Sequence, residues 1–252
     1  MDPNDSGKDT ILLSAEDSRH ALSVLRLKSG AVVDLIDGQG KSFRGVVAGV
    51  KDGRVEVSLD KRSQKDLSMP VEIVLAASVI KAEHMDFLIQ KSCELGVTGI
   101  WPILTERSVV KLTKEQGQSK AGRWQKIAHE ACKQCGLSKT PAVETPRAYK
   151  DIFAKAGSFG LILMPTLAGK TASLHDALQI KDAKKILLLI GPEGDFTAQE
   201  IKLALSHGAL PVGLGPLILR SETAALYAVS AISFYYRRAA GPAASRDSIF
   251  FK

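Results

Sequence analysis

The run ILLLIGPEGDFTAQE, from Ile186 to Glu200, decides the fold class. Its first five residues are unbroken aliphatic, the pattern of a strand covered on both faces, as in parallel sheets. Gly191, Pro192, Glu193 and Gly194 interrupt that run, and Thr197 followed by Glu200 forms a capping box that opens a helix. Strand, glycine-proline loop and helix in this order form the repeating unit of an α/β domain. Reading outward toward the N-terminus, the unit recurs. VEIVLAASVI (71–80) is a buried-type strand, a helix through His84–Leu95 stops at Gly96, and VTGIWPI (97–103) is the next strand. A basic helix ending near Gly136, the strand GLILM (160–164) and a helix near Ala172–Leu178 lead back to Ile186. Toward the C-terminus, the helix opened at Thr197 ends by Gly208. A short strand lies around Pro211–Leu214, and a long helix runs from Glu222 to about Arg238. The tail AAGPAASRDSIFFK carries no such pattern.

The first 70 residues follow a different pattern. AEDSRHALSVLRL (15–27) has helical spacing and stops at Gly30. AVVDLID (31–37) then turns at Gly38-Gln39-Gly40 into SFRGVVAGV (42–50), and Asp52-Gly53 turns into RVEVSL (54–59). Such punctuation predicts antiparallel hairpins closing a small β-barrel. KRSQKDLSMP (61–70), polar and ending in Pro70, reads as a linker. The expected domains are therefore 1–70 and 71–252.

At 252 residues, with 45% hydrophobic and 24% charged side chains, the chain can bury a real core, which excludes wholesale disorder and a disulfide- or metal-dependent miniprotein. Lys and Arg number 34 against 27 Asp and Glu, a net charge of +7. The first 70 residues are electrically neutral. Between Arg107 and Lys139 stand Arg107, Lys111, Lys114, Lys120, Arg123, Lys126, Lys133 and Lys139 against only Glu115 and Glu130. That segment is either a solvated helix face or a phosphate-contacting surface. No run approaches the roughly 20 apolar residues of a membrane span, and the polar start MDPNDSGKDT points to a cytoplasmic protein. Three cysteines argue against a disulfide framework. Cys132 and Cys135 have no second pair and read as neighbours on a helix. The five histidines lack ligand spacing, so no metal is expected.

In an open parallel sheet, ligands bind beyond the carboxyl ends of the strands. Met164-Pro165-Thr166, Gly191–Phe196 and Leu214-Gly215-Pro216, the last continuing to Arg220–Ala224, all stand at such ends. Any one of them is also an ordinary strand-to-helix turn; three on one edge make a pocket. None is a dinucleotide or P-loop fingerprint. Glu222 suits a helix N-terminus electrostatically. Arg220 does not, which points to an anionic ligand.

With these residues in view, the chain resembles the family of ribosomal RNA small subunit methyltransferase E. The likeness rests on ILLLIGPEGDFTAQEI, LGPLILRSETAAL, HALSVLRLKSGAVV, KAEHMDFLIQKSCELGV and RWQKIAHEACKQCG, which together cover nearly the whole chain. It implies a PUA-like β-barrel for RNA recognition, followed by a parallel-sheet domain of the SPOUT class tied in a C-terminal trefoil knot. It also implies a homodimer that uses S-adenosylmethionine to methylate uridine N3 in 16S rRNA of the small subunit. By motif position, the cofactor would be held by Met164, Pro165, Thr166, Gly191, Pro192, Glu193, Gly194, Leu214, Gly215, Pro216, Leu219, Arg220, Ser221, Thr223 and Ala224. Arg220 would stabilise the uracil anion, with Glu222 or a water it orients accepting the proton. RNA would be contacted by Arg19, Arg26 and Arg44 on the barrel and by Arg107, Arg123 and Lys126 on the basic segment. Four positions depart from the family pattern. Asp195 replaces a usual second glycine, where it would tighten the loop or add charge near the sulfonium. Leu217 and Leu137 stand where arginine is frequent, and Ser221 where threonine is common. The rival readings are a non-catalytic RNA-binding assembly factor, a methyltransferase acting on another RNA such as tRNA, and a nicotinamide oxidoreductase, which lacks the glycine fingerprint.

Overall fold

The computed structural model describes residues 9–36, 41–66, 69–180, 182–237 and 249–251. The expected turn at Gly38–Gly40, Arg238 and most of the tail lie outside them.

Contacts divide the chain into two compact units. One comprises the described residues within 1–68, 132–140 and 242–252; the other comprises those within 69–131 and 141–241. In the first, β1 (Thr10–Leu12), β2 (Val32–Ile36), β3 (Lys41–Lys51), β4 (Arg54–Asp66) and β13 (Ile249–Phe251) form one sheet in the order β1-β4-β3-β2-β13. Pairing is antiparallel except between β13 and β2. Alternation sends Val33, Leu35, Val55 and Val57 into a core shared with Ile11, Leu13, Ala21 and Val47. Gly45 is where β3 and β4 press together: a Cβ there would meet Val57 Cγ1 at 2.5 Å and the Ser58 carbonyl at 2.8 Å.

Three expectations change here. β4 continues through Asp66, where a linker was expected, because Lys41 and Ser42 pair with Asp66 and Lys65 and so satisfy backbone groups that side-chain polarity does not reveal. The tail contributes β13, too short for any periodicity to show. The helix expected over 15–27 is α1 (Ala15–Arg19), capped by Ser14, followed by a π-helical turn over His20–Val24. The Leu25 N–H bonds to the His20 carbonyl and the Leu27 N–H to the Ala21 carbonyl, which widens and ends the helix before Arg26 at φ 51°.

The second unit is built on parallel strands: β5 (Glu72–Ser78), β6 (Gly99–Leu104), β7 (Ala142–Val143), β8 (Arg147–Ala148), β9 (Leu161–Pro165), β10 (Ala172–Ser173), β11 (Lys185–Ile190) and β12 (Ala209–Gly213). Their order is β10-β12-β9-β11-β5-β6-β7, with β8 also on β6. The helices are α2 (Ala82–Glu94), α3 (Lys114–Cys135), α4 (Leu174–Ile180), α5 (Ala198–Ser206) and α6 (Ser221–Arg237), with a 3-10 helix over Tyr149–Ser158. Residues 172–173, expected at a helix start, form β10 because they pair with Val212 and Gly213. The apolar strands give a continuous core containing Val74, Ala76, Ile103, Met164, Leu187 and Leu189, closed on one side by Phe153 and Phe196. Among the described residues, no helix is long and apolar enough to cross a membrane.

Candidate functional site

β12, β9 and β11 are successive parallel neighbours, so the chain leaves all three at the same sheet edge. The loops that follow them surround a cleft of about 420 Å³. Pro165 and Thr166, then Gly191, Pro192 and Glu193, then Leu214, Gly215, Leu219, Arg220, Ser221 and Ala224 line it, all residues expected to hold a cofactor. The other four so expected do not. Met164 is fully buried in the sheet core, Gly194 lies against Arg107, and Pro216 and Thr223 are exposed away from the lining. The lining also includes residues that sequence reasoning did not assign: Leu167, Gly169, Thr171, Ile190, Asp195, Val212, Gly213, Leu217 and Ile218. Most are loop neighbours of assigned residues. Strand ends such as Ile190 and Val212 look like ordinary core in the sequence, and only the adjacency of β12 and β11 to β9 turns them toward one opening.

Local hydrogen bonds hold the walls. The Asp195 N–H closes a turn on the Pro192 carbonyl at 2.9 Å, and Asp195 has a left-handed φ of 58°. The Asp195 carboxylate accepts from Thr166 Oγ1 at 2.8 Å, from the Leu167 N–H at 2.9 Å and from the Phe196 N–H at 2.7 Å. Thr197 caps α5 through the expected capping box with Glu200, whose second oxygen accepts from the Glu106 N–H at 2.9 Å. Ser221 Oγ, at the start of α6, donates to the Gly191 carbonyl at 2.8 Å. Gly191 itself sits against Phe196: a Cβ would stand 3.3 Å from its ring. Gly215, at φ 109°, needs glycine for its backbone conformation alone.

Arg220 lines the cleft with an exposed side chain, and its carbonyl begins α6 by accepting from the Ala224 N–H at 2.8 Å. Glu222, at 9% exposure, is not in the lining; its Oε1 lies 3.1 Å from Nδ1 of His84 on α2. The structure thus sets the two expected catalytic side chains apart, Arg220 toward the cleft and Glu222 toward α2. His84 carried no sequence signal beyond being one of five scattered histidines.

The expected RNA-contacting side chains are also dispersed. Arg19 and Arg26 are exposed, while Arg44 pairs with Asp34 at 3.1 Å across β2 and β3. Arg107 donates to the Gly194 carbonyl at 2.7 Å and reaches the Phe196 carbonyl at 3.5 Å. Arg123 is ion-paired with Asp86, and Lys126 is exposed. Cys132 and Cys135 lie on α3, and among the described residues no cluster of His, Cys, Asp and Glu could hold a metal ion.

The lining combines apolar cover with charged groups of both signs. Ile190, Val212 and Leu219 give apolar cover, Glu193 offers a carboxylate and Arg220 a guanidinium, while the Asp195 carboxylate is taken up by the loops themselves.

The chain is similar to known RNA methyltransferases. A family model described as an RNA methyltransferase domain matches residues 67–233, and one described as an RNA methyltransferase PUA domain matches residues 13–60. Ribosomal RNA small subunit methyltransferase E of Synechocystis sp. is 32% identical over 226 residues, covering 89% of this chain and 73% of that protein. The Bacillus subtilis protein of the same name is 27% identical over 230 residues, covering 89% and 90%. The crystal structure of ribosomal RNA small subunit methyltransferase E from Neisseria gonorrhoeae, bound to S-adenosyl methionine, is 32% identical. It superposes with a TM-score of 0.77 over 90% of this chain and 92% of that one.

Proposed function

The chain belongs to the ribosomal RNA small subunit methyltransferase E family, and from that membership we propose that it methylates N3 of a uridine in 16S rRNA of the small subunit, using S-adenosylmethionine. The carrying observation is the cleft at the shared edge of β12, β9 and β11, whose lining chemistry suits that cofactor. In this reading the cofactor is held by the Pro165–Thr166, Gly191–Glu193 and Leu214–Ala224 loops and supplies an electrophilic methyl group on a sulfonium.

The neutral N3–H of uracil is a weak nucleophile, and its negative charge, once formed, spreads onto O2 and O4. A guanidinium is a poor general base and a good hydrogen-bond donor, so Arg220 stabilises that charge and does not take the proton. The proton acceptor in this reading is a water oriented by Glu222, whose own carboxylate faces His84 outside the cleft lining. The remaining rate comes from holding base and methyl donor in line. The unit built on β1–β4 and β13 serves RNA recognition as a PUA-like barrel, and the parallel-sheet unit is the SPOUT catalytic domain with its C-terminal knot. The protein works in the cytoplasm as a homodimer without a metal. Support for the dimer comes from the exposed large apolar side chains Tyr227 and Phe234 on α6 and Phe87 on α2.

The test is transfer of tritiated methyl from S-adenosylmethionine to small subunits, total rRNA and tRNA, followed by nucleoside analysis. Label in N3-methyluridine from 16S rRNA is expected. Label on tRNA or on another atom overturns the assignment.

A further inference from the structure

Asp195 is the one lining residue that holds an unfavoured backbone conformation while bonding to two loops at once. Its φ of 58° is left-handed, a region that glycine enters freely and that aspartate tolerates. Glycine would suit the backbone better but could bond to nothing. The carboxylate uses Oδ2 for the Thr166 hydroxyl and the Leu167 N–H, both on the loop after β9, and Oδ1 for the Phe196 N–H on its own loop. Thr166 Oγ1 in turn accepts from the Ala168 N–H at 3.1 Å, so the tie extends further along the β9 loop. Leu167 is 68% exposed, so packing does little to hold its position. Arg107 grips the other side of the same segment through the Gly194 carbonyl.

We infer that Asp195 is a positioning residue: it ties the β9 loop to the β11 loop and thereby presets the cleft for its cofactor. This rests on the function proposed above. Ordering two loops before the ligand arrives removes an entropic cost from binding, so losing the tie weakens affinity and leaves the chemical step alone. A different role for the same carboxylate, simple attraction of a cationic cofactor, makes a different forecast. Asparagine tolerates the left-handed conformation and keeps one oxygen for Thr166 and Leu167; it loses the charge and the acceptor for the Phe196 N–H, so only the tie to the β9 loop survives.

The experiment is calorimetry with S-adenosylmethionine on the full chain and its variants, alongside kcat and KM on small subunits and amide hydrogen exchange of the cofactor-free protein. Asp195→Gly is expected to raise Kd about tenfold with kcat at saturating cofactor nearly unchanged, whereas Asp195→Asn stays within about threefold. Thr166→Val, which removes only the hydroxyl, falls between them. In the cofactor-free protein, exchange of the Leu167 amide speeds up in Asp195→Gly and not in Asp195→Asn. Wild-type affinity in Asp195→Gly, or unchanged Leu167 exchange, overturns the tie. Equal weakening in the Gly and Asn variants, with Leu167 exchange unchanged in the Asn variant, overturns it in favour of charge attraction. A wild-type protein that fails to bind S-adenosylmethionine refutes the proposed function, a result distinct from all of these.

Discussion

Replacing Arg107 by Ala separates two roles for one guanidinium. The basic segment makes Arg107 an RNA contact, whereas its geometry makes it an anchor of the cleft, 2.7 Å from the Gly194 carbonyl. A hydrogen bond from a charged donor is worth about 1.5–3 kcal/mol when shielded. This one is exposed, so solvent competition reduces it to about 0.5–1 kcal/mol. Coupled to cofactor binding, that loss becomes an increase of about two- to fivefold in Kd for S-adenosylmethionine. Loss of a phosphate contact would instead lower the slope of log affinity against log salt by about 0.7–0.9. The assay pairs calorimetry of cofactor binding with RNA binding over a salt series, using Lys126→Ala as the electrostatic reference. The anchor role predicts weaker cofactor binding with a nearly unchanged salt slope for Arg107→Ala, and the reverse for Lys126→Ala. Arg107→Lys, which keeps the charge without the planar fork, should behave like Arg107→Ala toward the cofactor. Unchanged cofactor affinity with a salt slope reduced as in Lys126→Ala refutes the reasoning.

Arg220→Ala should lower kcat on small subunits by about 10²–10³, as loss of a charge-stabilising donor does elsewhere; unchanged turnover removes it from the chemistry. Gly215→Ala has open space for its Cβ, so its cost is backbone strain alone, about 1–3 kcal/mol in a urea titration. A variant as stable as wild type counts against a required positive φ. Burial first, and the Glu200 carboxylate second, hold the Tyr149 phenol above its ordinary value of 10.0. The folded state therefore keeps a proton that the unfolded chain releases, and stability is full below that value and falls as pH rises through it. Tyr149→Phe should flatten the decline of the urea midpoint between about pH 9.5 and 11. Tyr236, also raised by burial, adds to the slope, and an equally steep decline in the variant refutes the assignment.

Legibility in the sequence followed the range of the forces involved. β5, β9 and β11 were readable because burial on both faces leaves a local signature of unbroken apolar residues, and the ends of α2 and α3 because Gly96 and Gly136 adopt positive φ there. β7, β8 and β10 were not, because each is two residues long and exists only through its pairing partner. The same limit applies in the cleft. The loops announced themselves through glycine and proline, yet Ile190, Val212 and Thr171 joined the lining only once the strand order was known. Asp195 stood out as a departure from a glycine pattern, but the Thr166 and Leu167 groups that it holds lie on another loop.

Charge is where local reading misleads most, because a count treats every cation alike. In the segment from Arg107 to Lys139, Arg123 is ion-paired with Asp86. Arg107 and Lys111 are turned onto the Gly194 and Glu106 carbonyls. These side chains are exposed, as are those of Lys114 and Lys126 on α3, but each has a partner that a phosphate would have to displace. Steering of a polyanion depends on the summed field and tolerates such engagement, while individual phosphate contacts do not. The segment should therefore speed RNA encounter in proportion to its formal charge, yet contribute fewer counterions to the salt slope than its eight cations suggest.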